Sequence, residues 1–107
     1  RLDQIVILEA KMLELHPSIG KLDKLRMLSL FGNKIKELPK EIGLLKKLIF
    51  LNIVGNPILA IPNDIKYLDK TNGGSLERIA VVEKEIGEKN YKLLKELLPT
   101  VIFCEIV

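Results

Sequence analysis

Two side chains in this sequence could in principle act in catalysis, and they stand far apart. His16 is the sole histidine and directly precedes Pro17, with no second histidine or cysteine nearby to complete a metal site. Cys104 is the sole cysteine, and a thiolate nucleophile needs a neighbouring base to activate it. Because His16 is separated from Cys104 by most of the chain, we interpret His16 as a surface turn residue and Cys104 as structural or incidentally exposed at the cap.

Other polar clusters also lack the pattern of a known site. The glycine-rich segment 71–75 has no lysine followed by serine or threonine, which a phosphate-binding loop requires. Glu83, Glu85 and Glu88 lack the aspartate and glycine positions of a calcium loop. Lysines are spread among acidic residues, and only five aromatic residues are present, so direct nucleic-acid contact is not expected. The sequence therefore predicts no enzyme activity, no metal and no cofactor.

Composition is that of a globular domain. The chain has 107 residues, 48% of them hydrophobic and 29% charged, with a net charge of +3. Its apolar stretches are far shorter than the roughly 20 residues of a membrane span. A single cysteine excludes an internal disulfide, which favours a reducing compartment. We therefore expect an intracellular protein, cytoplasmic or nuclear, with no membrane span.

The dominant feature is an internal repeat. Leu2, Leu25 and Leu48 each open the pattern Leu-x-x-apolar-x-apolar, at intervals of 23 residues. Alternation of apolar residues after each leucine predicts a short strand, and apolar residues three apart later in the repeat predict a helical turn on the opposite side of the coil. Seven apolar positions recur in phase, and in the second repeat they are Leu25, Leu28, Leu30, Ile35, Leu38, Ile42 and Leu45.

Asparagine and proline mark the turns of the repeat. Asn33 and Asn56 share one position after the strand, where an amide can pair with otherwise unsatisfied backbone groups, so we predict a structural ladder. Pro39 and Pro62 share another position, where the fixed φ of proline turns the chain towards the helical segment. Pro17 comes one residue later in its repeat, and its turn is expected to differ.

The segment LRMLSLFGNKIKELPKEIG (25–43) closely resembles the intracellular leucine-rich repeat of Ras-suppressor type. Residues 88–103 are similar to the C-terminal cap of phosphatase-regulator and spliceosomal leucine-rich proteins, although Cys104-Glu105 stands where those families often carry Leu-Asp. The resemblance implies an α/β fold: a right-handed solenoid with a short parallel concave sheet, helical segments on the convex side and a C-terminal cap. It also implies an adaptor or scaffold.

We divide the single domain 1–107 into repeats 2–24, 25–47 and 48–75, the last with an inserted loop at 70–75. A degenerate repeat 76–97 and a cap strand 98–107 follow, and one long helix over 75–98 is the alternative. With no N-terminal cap visible, the chain is expected to be a fragment or to associate with a partner or second copy there. On the first coil, the apolar side chains expected to lie open at the end of the solenoid are those of Leu2, Ile5, Ile7, Leu15, Ile19 and Leu22.

Side chains between the inward leucines are expected to face out of the sheet. Several are apolar or aromatic although folding does not require it, and such a patch is typical of a protein-binding surface. The predicted partner-binding residues are Leu8, Met27, Phe31, Phe50, Asn52, Val54, Arg78 and Val82. We expect a non-catalytic scaffold or adaptor that binds a protein on this face. The alternatives are a recruitment module of a larger enzyme or ribonucleoprotein complex, and a sheet whose apolar residues bind nothing.

Overall fold

In the part of the chain that the structure describes, five short strands form one parallel sheet in chain order. The computed structural model describes residues 5–8 and 11–105, without the side chain of Ile7. Each strand begins a coil, and the chain returns on the other side of the core before the next strand. The strands are β1 (Ile5–Ile7), β2 (Met27–Ser29), β3 (Phe50–Asn52), β4 (Arg78–Ala80) and β5 (Ile102–Cys104). The predicted α/β solenoid with a short parallel sheet is confirmed.

Tight helical segments make the return path. The first three coils return through 3₁₀ helices, which are shorter and more tightly wound than α-helices. Pro39 and Pro62 immediately precede two of them at φ −73° and −71°, as their shared position predicts. Pro17 instead begins its helix, which His16 caps by accepting a hydrogen bond from the Ser18 N–H at Nδ1. The helices span Pro17–Lys21, Lys40–Leu44, Asn63–Leu68 and Lys70–Asn72, followed by α1 (Glu83–Ile86) and α2 (Glu88–Leu97).

The core is a stack of the predicted apolar columns. All seven positions of the second repeat are buried, and in the third repeat only Ile61 is partly exposed. Burial of each leucine or isoleucine side chain stabilises the fold by about 1.5–3 kcal/mol relative to exposure. Columns of successive coils belong to one continuous cluster, so each coil supplies the surface that its neighbour needs.

The first coil departs from the predicted phase. Ile5 pairs with Met27 and Val6 with Leu28, one residue away from the alignment that a strict 23-residue repeat predicts. A one-residue change of register exchanges the two faces of a strand. Ile5 is consequently exposed, whereas Val6 and Leu8 pack against the core, so the expectation that Leu8 faces out of the sheet is wrong.

Part of the expected apolar opening at the first coil is closed. Leu15 and Ile19 are buried in the same core cluster as the second coil, because the helix Pro17–Lys21 packs directly on Lys40–Leu44. The expectation that these two residues lie open is wrong. Leu22 remains exposed, and Leu2 lies outside the described residues.

The C-terminal part contains a strand and two helices, so the alternative of one long helix over 75–98 is wrong. Gly87, at φ +89°, separates α1 from α2 in a backbone conformation that glycine tolerates best. Arg78 of β4 pairs with Ile102 of β5, two residues later than the leucine pattern predicts, and this even shift keeps the same faces inward. Tyr91 of α2 packs edge-on against Phe103, with ring centroids 5.7 Å apart, and thereby covers the last coil.

The asparagine ladder is present and connects consecutive coils. Asn33 donates from Nδ2 to the Leu8 oxygen at 2.6 Å and the Leu30 oxygen at 2.9 Å, and its Oδ1 accepts from the Met12 N–H. Asn56 repeats this arrangement one coil later, with bonds to the Leu30 oxygen at 2.8 Å and from the Ile35 N–H at 3.2 Å. Both amides therefore satisfy buried backbone groups of their own coil and of the preceding one.

A third amide continues the ladder from a different element. Asn90 lies on α2 rather than at the repeat position, yet its Nδ2 donates to the Leu59 oxygen at 3.0 Å and to the Ile86 oxygen at 2.9 Å. The helix of the cap thus binds the backbone of the third coil. Sequence periodicity does not reveal this role, because Asn90 is out of phase with Asn33 and Asn56.

Substitution of Asn56 by alanine is expected to lower the free energy of unfolding by about 3 kcal/mol, since buried donors and acceptors of two coils lose their partner. Urea denaturation followed by circular dichroism measures this change. Asn63→Ala, at an exposed position, serves as the matched control and is expected to cost less than about 0.5 kcal/mol. Equal effects of the two substitutions would contradict the structural role of the ladder.

Candidate functional site

An apolar row crosses the face of the sheet that is turned away from the core. Strand pairing places one residue from each strand side by side, in the order Ile5, Met27, Phe50, Arg78 and Ile102. Ile5 is 44% exposed, Met27 36% and Ile102 56%, while Phe50 is half-buried and Arg78 exposed. We call these five residues the outer row. Four of its members are apolar, although none of them belongs to the core cluster.

The next outward position along the strands carries smaller or less exposed side chains. Ser29, Asn52 and Cys104 are half-buried and Ala80 is buried. The Asn52 Oδ1 accepts a hydrogen bond from the Val54 N–H at 3.0 Å, so this amide oxygen is occupied within its own turn. Asn52 therefore lies beside the outer row, as predicted, but its oxygen is less available to a partner.

Phe31 extends the apolar surface just beyond the end of β2. Its side chain is 53% exposed, so it is one of the most accessible aromatic groups of the sheet side. The adjacent turn is tight because Gly32 adopts φ +74° and donates its N–H to the Val54 oxygen at 3.0 Å. Together with Met27 and Phe50, Phe31 forms the part of the site that contains two aromatic rings and a methionine. These three residues lie where the sequence predicts them.

Two predicted site residues lie less exposed than expected. Val54 is buried, because α1 lies against its turn, where Glu85 Oε1 accepts from the Gly55 N–H at 2.7 Å. The expectation that Val54 lies on the surface is therefore wrong. Val82 is half-buried and ends the extended segment at the start of α1.

Sequence reasoning missed two members of the outer row. Alignment of the repeats by their opening leucines places Ile5 with the inward residues Leu28 and Leu51, and it places Ile102 beside Ser29 and Asn52 rather than beside Arg78. Both errors come from aligning the terminal coils by their leucines, whereas hydrogen bonding sets the actual register.

Charge on this face is concentrated in one residue. Among the outward strand positions with described side chains, Arg78 is the only charged one. Acidic residues gather instead beyond the strand ends, and two are engaged by the backbone. Glu85 accepts from the Gly55 N–H, and Glu105 Oε1 accepts from the Glu83 N–H at 3.1 Å.

The residues considered for catalysis do not meet. Cys104 is half-buried on β5, whereas His16 is exposed and caps the helix that follows β1, at the opposite edge of the five-stranded order. Within residues 5–8 and 11–105, no group of three or more His, Cys, Asp or Glu side chains is arranged to hold a metal ion. No helix in this part of the chain is both long and apolar enough to cross a bilayer.

A second apolar area lies at the first coil. A cavity of about 230 Å³ opens between the end of β1 and the helix Pro17–Lys21. Its lining consists mainly of the apolar residues Leu8, Met12, Leu15, Ile19 and Leu22. This location agrees with the expected apolar end of the solenoid, although the opening is smaller than the sequence suggests.

Asp69 is the one buried carboxylate within residues 5–8 and 11–105, and it serves the fold. Asp69 precedes the inserted segment 70–75, and its two oxygens accept hydrogen bonds from both the N–H and hydroxyl groups of Thr71 and Thr100. Burial alone would raise the pKa of Asp69, but these hydrogen bonds outweigh it and hold the pKa below its ordinary value of 3.8. Asp69 thereby joins the inserted segment to the chain that leads into β5.

The inserted segment packs closely on the third coil. A Cβ atom at Gly74 would lie 2.2 Å from the Leu68 carbonyl oxygen, so a larger residue cannot occupy this position without displacing the backbone. Gly73 adopts φ +89° and ends the helix Lys70–Asn72. The glycines thus serve chain packing here, and the excess length relative to the 23-residue repeat is accommodated without breaking the sheet.

Comparison with solved structures supports the fold and its class. A leucine-rich repeat protein of Leptospira interrogans matches 94% of this chain with 35% identity and a TM-score of 0.82. The match spans about a quarter, 24%, of the length of that protein. Comparisons with protein-family models and with curated proteins yield no match. The repeat pattern, the parallel sheet and this structural similarity show that the chain has a leucine-rich repeat fold.

Asp69→Asn is expected to lower the free energy of unfolding at pH 7 by about 2–3 kcal/mol, because the carboxamide presents hydrogen atoms to groups that already donate. Because folding lowers the pKa of Asp69, its ionised carboxylate stabilises the fold above pH 3.8. This stabilisation is lost as the pH falls through the pKa that Asp69 has in the folded protein. The difference between wild type and variant should therefore shrink between about pH 5 and pH 2. Urea denaturation across this pH range measures it.

Asp23→Asn removes the same charge at an exposed position and serves as the control. Its stability should remain within about 0.5 kcal/mol of wild type at pH 7. A difference between wild type and Asp69→Asn that stays constant down to pH 2 would show that the ionised carboxylate does not stabilise the fold.

Proposed function

We propose that this chain is a non-catalytic interaction module, an intracellular scaffold or adaptor that binds a protein partner on the outer face of its sheet. Leucine-rich repeat folds are in general protein-interaction folds, which supports the class of function. The observation that carries the proposal is the outer row with Phe31, where apolar side chains are exposed on three strands and half-buried on a fourth. Their types, Ile, Met and Phe, include those enriched in protein interfaces.

Burial of this surface could supply a moderate affinity. Each fully buried Phe, Met or Ile side chain contributes about 1.5–3 kcal/mol, and part of that gain is offset by the loss of freedom on association. Several such residues acting together supply much of the free energy of a micromolar complex, which is about 8 kcal/mol. Burial in a complex also explains why apolar side chains are present where the fold does not need them.

The chemistry of the polar residues favours binding over catalysis. His16 serves as a helix cap, and both oxygens of the Asp69 carboxylate accept hydrogen bonds from Thr71 or Thr100. A catalytic site would require a base, a nucleophile or an electrophile held within reach of one another. The exposed apolar row offers contact area instead, so we assign it the role of recognition.

The proposal is tested with Phe31→Glu combined with Phe50→Asp, two changes that place charge on the apolar surface. Affinity purification with quantitative mass spectrometry compares the partners retained by wild type and by this variant. We expect the amount of the specific partner retained to fall at least tenfold, because a charge buried without a counterion costs more than about 1.4 kcal/mol. Circular dichroism verifies that the variant is folded.

Leu44→Glu provides the matched control. Leu44 is 55% exposed, close to the value for Phe31, but it lies on the helix Lys40–Leu44 at the opposite side of the coil. Partners that bind the sheet face should be retained by this variant. Full retention of partners by a folded Phe31→Glu, Phe50→Asp protein would overturn the assignment of the outer row as the binding surface.

A further inference from the structure

Arg78 interrupts the apolar outer row and indicates the chemistry of its partner. We propose that the partner segment presents a carboxylate to Arg78 and apolar side chains on both sides of it. This inference rests on the proposed function, since it specifies what binds to the same surface. It commits to an acidic, otherwise apolar protein segment as the occupant.

Strand pairing determines the surroundings of the guanidinium. Phe50 and Ile102 are the direct register neighbours of Arg78 on β3 and β5. Neighbouring strands lie about 4.8 Å apart, so the cation stands within one side-chain width of an apolar neighbour on each side. A partner that covers the row must therefore bury Arg78 together with Phe50 and Ile102.

Burial of this cation requires a counter-charge. A charged group removed from water without a partner is costly, whereas a carboxylate can form two parallel hydrogen bonds with a guanidinium. The outward strand positions with described side chains offer no acidic residue that could neutralise Arg78. Glu77 is exposed and directly precedes β4, outside these outward strand positions. The counter-charge is accordingly expected from the partner.

The distribution of acidic residues also orients the partner. Glu83, Glu85 and Glu105 lie beyond the C-terminal ends of β4 and β5, whereas Arg78 begins β4. An acidic partner residue is attracted at the beginning of the strand and repelled at its end. A segment bound across the sheet should thus place its carboxylate near the strand beginnings, over Arg78.

A displayed library of random 12-residue peptides provides the probe. Selection is carried out on the wild-type chain, on Arg78→Gln, on Arg78→Glu and on Phe50→Asp, followed by sequencing. Wild type is expected to select peptides with Asp or Glu between apolar residues, and Arg78→Glu is expected to replace that acid with Lys or Arg. For one synthetic peptide selected on wild type, Arg78→Gln should weaken binding about tenfold, and replacement of its acid by the corresponding amide should weaken binding similarly.

Arg26→Gln is the matched control, because Arg26 is exposed beside β2 but outside the outer row. This substitution should change the affinity for the same peptide by less than about twofold. The inference would be overturned if the selected peptides depend on Phe50 but show no preference for Asp or Glu, or if that preference is unchanged on Arg78→Glu. The proposed function would still stand in either case. If Phe50→Asp has no effect on selection, the proposed function fails and this inference fails with it.

Discussion

Each coil of this solenoid can bury its apolar side chains only against the coils before and after it. This constraint explains why the same seven apolar positions recur in the central repeats and why they form one continuous cluster. It also explains the asparagine ladder. When coils stack at this distance, backbone groups after each strand lose contact with water, and the amides of Asn33 and Asn56 replace it.

In the first and the last described coils, other residues cover the apolar side chains and pair with the backbone. At the C-terminal end, α2 takes the place of a further coil: Asn90 binds the third coil's backbone, and Tyr91 covers Phe103. Asp69 links the inserted segment to the last strand through Thr100. At the first coil, Leu15 and Ile19 are buried by the second coil, while an apolar cavity remains beside Leu22. The two ends are thus built differently.

A consequence of stacking is that residues distant in the sequence form one surface. The outer row joins Ile5 to Ile102 through three intervening strands, and a single charge lies within it. Because the inward apolar columns and the asparagine ladder stabilise the stack, and the outer row lies outside the core cluster, residues of the outer row can vary with little effect on the core. In the proposed function, Phe31, Phe50 and Arg78 are the side chains of this surface on which recognition of the partner depends.

The sequence by itself determined the repeat, the parallel strands, the buried columns and the ladder, because those features depend on local patterns repeated at constant spacing. It also placed Met27, Phe31 and Phe50 on the outward side, since alternation along a short strand needs no knowledge of the neighbours. Only the tertiary structure decided the register of β1 and β5, and with it the positions of Leu8, Ile5 and Ile102. Burial of Val54 likewise depends on α1, and the role of Asp69 depends on Thr100, which is 31 residues away. Pairing between strands and packing by distant elements leave no periodic signal in the chain, so they could be read only once the coils were stacked.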